Sequence, residues 1–465
     1  MSLYRSIARQ VLAPTMDLIR GTHTMRTLRE LEASQWWPRE RLDELQAERL
    51  NRLVTHAYER VPYYRRIMDE RSLRPSDIRS AADLQKLPVL TRDLVRANFD
   101  DLMAEGFPSG RVRKETTGGS TGTPLLFYTT EEDQRTRGFS RAIRAAEFAG
   151  LRLGDKGMLI RIARRHPSAR DRLLHRLSRR LERVVELDSR DITVNRLPDI
   201  VALLHRADMR CLTGYPSAVA YLASWISESG VTPPELEAVI TGGEQLFEHQ
   251  RQRIRNAFRV EPYSDYSSRE VFNIAMECEA HTGLHIAAED IVVEVVDESN
   301  APLSTGREGR IILTNLHNYA MPFIRYENGD SGSLVAEACP CGRALPLLSH
   351  VVGRRCDIVY TSSGRRISGS NLGLNRLAQL PVQQFQLVQE DLDLLTVRVA
   401  PRPGTEPAGL EDMRLRIPPI FSRIVGDDMR VVVQFCDHIE PTAAGKHLFV
   451  ISKVDPDSWV KRAGA

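Results

Sequence analysis

The sequence predicts an α/β protein: a large, multi-layer N-terminal domain over residues 1–353, followed by a small α+β domain over residues 354–465. Three observations carry that expectation. Between Asp199 and Leu313, short apolar runs such as LEAVITGG and DIVVEVVDE alternate with helical stretches such as FEHQRQRIRNAF, as in a sheet with crossover helices. Beyond Gly353 the pattern turns hairpin-like and charged, with FQLVQEDLDLLTVRVAP, a helical stretch near Glu411 to Val425, then MRVVVQFCDHIEP. A chain of 465 residues at 42% hydrophobic content also exceeds what one domain usually spans.

In chain order, Leu28 to Glu105 is helical by its apolar spacing, with joints at Pro62, Pro75 and Pro88. EEDQRTRGFSRAIRAAEFAG, Glu131 to Gly150, reads as a helix stopped by glycine. Arg161 to Glu186 holds nine arginines, and Leu173, Leu174, Leu177, Leu181 and Val184 fall on one face of a helix. The arginines then point to water on a solvated amphipathic helix.

Composition narrows the function. A net charge of +3 in a chain that is 27% charged gives little field for nucleic acid. The N-terminus interleaves Arg5, Arg9 and Arg20 with apolar residues, unlike a signal peptide, and no apolar run nears the roughly 20 residues that span a bilayer. The expectation is a cytoplasmic protein whose partners are small molecules or proteins, with no nucleic acid and no membrane. Its six cysteines are too sparse for a disulfide framework.

KETTGGSTGTPLLFYTT, Lys114 to Thr130, holds three glycines, six threonines and a serine. It lacks the lysine of a Walker loop, so a Walker-type phosphotransferase is disfavoured. The phosphate-cradling chemistry survives: glycine lets backbone N–H groups approach phosphate oxygens, and the hydroxyls of Ser120, Thr121 and Thr123 add neutral donors. Further stretches follow in a fixed order. TGGEQL (Thr241 to Leu246) comes directly after an apolar strand, and YSDYSSREVF (Tyr263 to Phe272) sets a tyrosine and a carboxylate four residues apart. FIRYENGDSG (Phe323 to Gly332) ends a strand on an aspartate suited to a ribose diol. GRRCDIVYTSSGRRISG (Gly353 to Gly369) sits at the change of composition, and PTAAGKHLFVISK (Pro441 to Lys453) brings one lysine after a glycine.

That series resembles the adenylate-forming (acyl-CoA synthetase-like) superfamily, and within it the branch of phenylacetate-CoA ligase-like and capsule-biosynthesis adenylating proteins. The resemblance covers nearly the whole chain and includes HAYERVPYYRRIMDE and LPVLTRDLVRANFDDL near its start. It implies an N-terminal adenylation domain and a mobile small domain. It also implies ATP on Thr117, Gly118, Gly119, Ser120, Thr121, Gly122 and Thr123 through its phosphates, with Gly242, Gly243 and Glu244 beside the adenine. Asp265 would meet the exocyclic amine and Tyr266 would stack on the base. Glu270 would hold Mg²⁺, Asp330 and Arg354 would bind the ribose hydroxyls, Asp357 would be the hinge, and Lys446 would bridge the substrate carboxylate and the α-phosphate. Arg269 stands where many relatives have threonine, and the hinge is spaced Gly-Arg-x-x-Asp.

Physical chemistry favours the same reaction. A carboxylate attacking an α-phosphorus meets like-charge repulsion, which a mobile lysine and a divalent cation relieve. The implied activity is ATP-dependent activation of an aryl or arylalkyl acid as an acyl-adenylate, then transfer to CoA. Gly364 to Ser370 is the candidate segment for the second half-reaction. The alternative acceptor is a carrier-protein thiol or an amine, docked through the arginine-rich helix. A non-enzymatic nucleotide-binding relative is disfavoured by the retained Lys446 and Glu270.

ECEAHTGLH and CPCGR gather three cysteines with two histidines. Cys278, His285, Cys339 and Cys341 supply the four N/S ligands of a structural Zn²⁺ site, with His281 as the substitute ligand. Several members of the branch carry a similar cluster. Cys211, Cys356 and Cys436 are isolated and read as packing residues, and Phe127, Tyr128 and Phe272 read as core aromatics that could line a slot.

Overall fold

A computed structural model of the chain describes residues 3–108, 110, 112–116, 125–161, 169–192, 194–352, 358–362, 366–368, 372, 376–377, 380–426, 429–440 and 448–454. Two compact units form: Met1–Gly243 with Ile254–Val351, and Glu244–Arg253 with Val352–Ala465.

The first unit opens with helices. α1 (Leu3–Ile7), a π-helical turn (Ala8–Leu12) and α2 (Ala13–Arg20) run to Gly21, whose φ of 67° ends the helix in the left-handed region. α3 (Thr24–Ser34), α4 (Arg39–Arg60) and α5 (Pro62–Glu70) follow, with Pro62 at the first helical position, where its missing N–H costs nothing. Leu50, Leu53, Val54 and Ala57 of α4 make one stripe at helical spacing, and each is fully buried. α6 (Arg92–Ala97) is capped by Thr91, which accepts from the Leu94 N–H. An antiparallel pair, β1 (Val112–Thr116) and β2 (Leu126–Thr130), brackets the Gly/Thr stretch. The expected phosphate-binding residues Thr117 to Thr123 lie outside the described residues.

The expected helix from Glu131 begins as a π-helical segment, Glu132–Gly138, and continues as α7 (Phe139–Phe148). Then come β3 (Gly157–Arg161), α8 (Ala169–Glu182), β4 (Val184–Asp188), α9 (Leu197–Arg206), β5 (Cys211–Gly214), α10 (Pro216–Ser229), β6 (Ala238–Gly242), α11 (Glu248–Phe258) and β7 (Pro262–Tyr266). The shorter β8 (Ala275–Glu277) and β9 (Leu284–Ile286) lead to β10 (Ile291–Val296), β11 (Gly309–Asn315), β12 (Tyr326–Val335) and β13 (Leu347–Val352). All but the first two strands share an 11-stranded sheet in the order β10-β11-β12-β13-β9-β8-β7-β6-β5-β3-β4. The half from β4 to β7 is parallel. Its central strands β5 and β6 are almost wholly buried, which is why their sequences read as apolar runs without alternation.

The arginine-rich helix α8 turns a different face inward from the one its leucines suggest. Leu173 is 61% and Leu177 43% exposed, whereas Ser178 is buried and Leu174 and Leu181 are half-buried. Polar pairing decides the orientation. Ser178 Oγ donates to Glu182, Arg179 meets Glu186 at 2.8 Å, and His175 Nε2 lies 2.8 Å from Glu186.

In the second unit β14 (Ile358–Tyr360) pairs with β15 (Arg366–Ser368), and β16 (Val382–Asp391) forms a hairpin with β17 (Leu394–Pro401). β18 (Arg430–Phe435) and β19 (Val450–Ser452) add parallel strands to the hairpin's two sides. α12 (Pro407–Val425) lays Met413, Ile417, Phe421 and Val425 on the unit's core. Phe247 joins that core with its ring 5.1 Å from Phe449.

Candidate active site

Open α/β sheets bind ligands at the carboxyl ends of their parallel strands. Here β6 ends on Gly242 and β7 on Tyr266, and the register sets Gly242 opposite Asp265. The approach needs a bare backbone: a Cβ on Gly242 would lie 2.9 Å from the Asp265 carbonyl oxygen and 3.0 Å from its Oδ2. Gly243 follows with φ of 79°, a conformation that glycine adopts without a steric cost. Asp265 accepts from Asn273 Nδ2 at 2.8 Å, and burial pushes its carboxyl up to about 7.

β12 crosses the same region. Tyr266 is 7% exposed, and its hydroxyl donates to Asp330 Oδ2 at 2.9 Å. Asn328 Nδ2 reaches both groups, at 2.6 Å from the Tyr266 hydroxyl and 2.6 Å from Asp330 Oδ2. Two residues earlier on β12, the Tyr326 hydroxyl donates to Glu270 Oε1 at 2.8 Å. Arg92 Nη2 lies 3.4 Å from the same oxygen and donates to the Asn328 carbonyl at 3.2 Å. Burial and the nearby Glu270 carboxylate hold the Tyr326 hydroxyl well above its ordinary range. Arg325, at φ of 54°, anchors the start of the strand by donating to the Leu87 carbonyl at 2.7 Å and pairing with Glu294 at 3.0 Å.

Gly242, Asp265, Tyr266, Glu270 and Asp330 thus lie on neighbouring segments or share bonding partners, while Glu244 is half-buried in the other compact unit. Arg354, Asp357 and Lys446, like Cys356 and most of Gly364 to Ser370, lie outside the described residues. Arg269 is exposed and faces Glu115 at 3.9 Å. Sequence reasoning did not single out Asn328, Tyr326, Asn273 or Arg92. The first two stand inside the FIRYENGDSG stretch, and their spacing from Asp330 on alternate strand positions was the available signal.

The cysteine-histidine group forms a separate cluster. The ligand atoms of Cys278, His285, Cys339 and Cys341 all lie within 4.8 Å of one another. Cys278 Sγ is 3.5 Å from Cys339 Sγ, and His285 Nε2 is 3.3 Å from Cys341 Sγ. Three thiols and one imidazole at these separations are compatible with a tetrahedral zinc site, whose ligands stand ~2.0–2.3 Å from the ion. Burial lowers the His285 imidazole to about 4, which keeps it neutral as a ligand must be. His281 points elsewhere: Nδ1 lies 3.2 Å from Glu277 and the ring packs 4.7 Å from Tyr263.

No protein-family model matches the chain. It is 31% identical over 330 residues to the phenylacetate-coenzyme A ligase of Thermus thermophilus, across 69% of this chain and 72% of that one. This defines the class. The chain belongs to the adenylate-forming ligase superfamily, and within it to the AMP-forming carboxylate-CoA ligase family. The phenylacetate-coenzyme A ligase of Aromatoleum evansii is 27% identical over 447 residues, covering 91% of this chain and 97% of its own. Among solved structures, a 2-hydroxyisobutyryl-CoA ligase in complex with 2-HIB-AMP matches with a TM-score of 0.74 at 22% identity, over 92% of this chain and 94% of that one. The fold is therefore that of the adenylate-forming ligases. Among the described residues, no helix is long and apolar enough to cross a membrane.

Proposed function

We propose that this chain activates a carboxylic acid with ATP, releasing pyrophosphate, and passes the acyl group from the acyl-adenylate to CoA. The observation that carries the reading is the meeting of Gly242, Asp265, Tyr266, Glu270 and Asp330 around the carboxyl ends of β6 and β7 and the first half of β12 in a member of this family. In this reading Gly242, Gly243 and Glu244 line the adenine, Asp265 accepts from its exocyclic amine, and Tyr266 stacks on the base. Asp330 and Arg354 take the ribose hydroxyls, with Tyr266 and Asn328 orienting Asp330. Thr117 to Thr123 wrap the phosphates.

Glu270 suits a Mg²⁺ that also binds ATP, because such ions use one or two carboxylates together with substrate phosphates. Among the described residues, Tyr326 and Arg92 both meet its Oε1. The cation would supply charge neutralisation at the phosphates. Lys446 holds the incoming carboxylate against the α-phosphate, and backbone N–H donors of the Gly/Thr stretch absorb the developing charge. Asp357 serves as the hinge of a small mobile domain carrying that lysine. Zn²⁺ on Cys278, His285, Cys339 and Cys341 has a structural part, since four protein ligands leave no open position.

The test is pyrophosphate exchange across a panel of aryl, arylalkyl and aliphatic acids, followed by thioester formation with and without CoA. Lys446→Ala is expected to abolish acid-dependent exchange and to spare thioester formation from a supplied acyl-adenylate. Equal loss of both steps contradicts the reading.

A further inference from the structure

A cavity of about 1090 Å³ lies in the first unit, with Asp265 and Ser267 among the residues that border it. An apolar cavity of ~150 Å³ holds a benzene ring, and ordinary ligand sites run to ~300–1,000 Å³. The space is a half-open cleft rather than a sealed void, at the upper end of the size of ordinary ligand sites, and one arylacetate fills only a small part of it.

The cavity is long as well as large. Gly157, Leu159 and Arg161, alternate residues on one face of β3, all line it, from the first residue of the strand to the last. Four steps at ~3.3 Å give a length of ~13 Å along the strand. Phe139, Ala142, Ile143 and Ala146 line it from α7, one helical face spanning ~10 Å at 1.5 Å per residue. α7 runs the opposite way to β3. Its start abuts Phe272, where a Cβ on Gly138 would come within 2.9 Å of the ring, and its end leads through residues 149–156 to Gly157. Met16 and Met25 from the N-terminal helices and Leu174 and Leu181 from α8 add apolar side chains to a mixed lining, whose ionisable members Asp155, Arg161, His175, Arg179 and Glu182 are held in ion pairs with one another or with Arg5 and Glu186.

We propose that the acid this protein activates is an elongated, largely apolar carboxylic acid, whose tail runs from the Asp265 and Ser267 end, between β3 and α7, toward Gly157. The inference rests on the adenylation reading for the fate of the carboxylate, but the binding volume stands apart from it. Ala142 and Ala146, one helical turn apart and half-buried, keep the lumen open; Ala142 is nearer the Phe272 end. Larger side chains there act as stops along a ruler.

The probe is cis-parinaric acid, whose fluorescence rises in an apolar site, with the full-length protein. Saturable binding and displacement by dodecanoate, but at least tenfold more weakly by phenylacetate, are expected. Ala146→Phe should weaken dodecanoate at least tenfold and lower the ratio of dodecanoate to phenylacetate exchange, and Ala142→Phe should do so for shorter acids such as octanoate too. Ala142→Val and Ala146→Val give graded versions that keep the fold. Absence of parinaric binding to the unmodified protein, or displacement by phenylacetate as good as by dodecanoate, overturns the proposal. So does an unchanged chain-length profile in folded stop variants. If long acids bind but no acid of any class drives pyrophosphate exchange, the adenylation reading falls and the assignment of the binding volume stands; if long acids bind and only phenylacetate drives exchange, the proposal is overturned and the adenylation reading stands. If phenylacetate drives exchange and long acids neither bind nor react, the reverse holds.

Discussion

The Tyr266 hydroxyl and the Asp330 carboxylate, on β7 and β12, share a hydrogen bond of 2.9 Å, and Asn328 Nδ2 reaches both at 2.6 Å. Tyr266 passes its proton toward Asp330 while its oxygen accepts from Asn328. The carboxylate is fixed by two donors before any ribose arrives. Such preorganisation lowers the cost of binding without adding a contact to the ligand.

Asn328→Leu removes one donor at similar volume. A hydrogen bond to a charged group contributes about 1.5–3 kcal/mol, so KM for ATP in pyrophosphate exchange is expected to rise about tenfold or more. If Asn328 merely filled space, KM would stay put.

The parts of the fold legible in the sequence were those with a period or a short motif. The apolar runs of β6 and β10 and the amphipathic face of α12 are set by nearest neighbours and burial. The cysteine-histidine cluster was legible because two short motifs, ECEAHTGLH and CPCGR, concentrate metal-binding residue types in a chain with only six cysteines. Arg92 and Tyr326 were not. They meet at Glu270 across separations of 178 and 56 residues, and no local pattern signals a polar pair that only the tertiary fold creates. The leucines of α8 misled for a related reason, since Glu186 on β4 draws His175 and Arg179 inward and turns Leu173 and Leu177 to water.

Gly242→Ala should fail at the backbone. Its Cβ would press on the Asp265 carbonyl oxygen at 2.9 Å, an atom held in the β6–β7 ladder that cannot rotate away. Overpacking of this kind costs about 1–3 kcal/mol. A lower melting temperature together with weakened ATP binding is expected; a variant that melts and binds like the parent would show that the strands can separate locally.

For the metal, the two histidines give opposite outcomes. His285→Ala removes an imidazole 3.3 Å from Cys341 Sγ, whereas His281→Ala removes one that contacts Glu277 and Tyr263. Metal analysis of protein purified without added zinc should find about one equivalent in the parent and in His281→Ala, and far less in His285→Ala. Equal zinc in all three rules out His285 as a ligand.

A second buried network tests stability alone. Asp290 is fully buried and pairs with Arg49 at 2.7 Å, Arg141 at 3.1 Å and His317 at 2.8 Å. Burial alone would raise its carboxyl, but His317, Arg141 and Arg137 hold it well below the usual range. Asp290→Asn strips the charge and leaves Arg141, also buried, without its counter-ion. Removing one partner of a buried pair costs about 3–5 kcal/mol, and a matching fall in the denaturation midpoint is expected.

Asp265 should write its burial into the pH dependence of stability. Its carboxyl sits at about 7 in the folded protein, against about 3.9 in an unfolded chain. Between those values the folded state binds the proton and the unfolded state does not, so stability falls as pH rises from about 4 to about 7 and then levels off. Asp265→Asn abolishes this titration and still offers a carbonyl oxygen to Asn273 Nδ2, which now donates to Asp265 at 2.8 Å. Thermal melts without nucleotide are expected to show the variant gaining on the parent across that window, with the largest advantage above pH 7. Parallel curves would mean that water reaches the carboxylate and that its burial exerts no force.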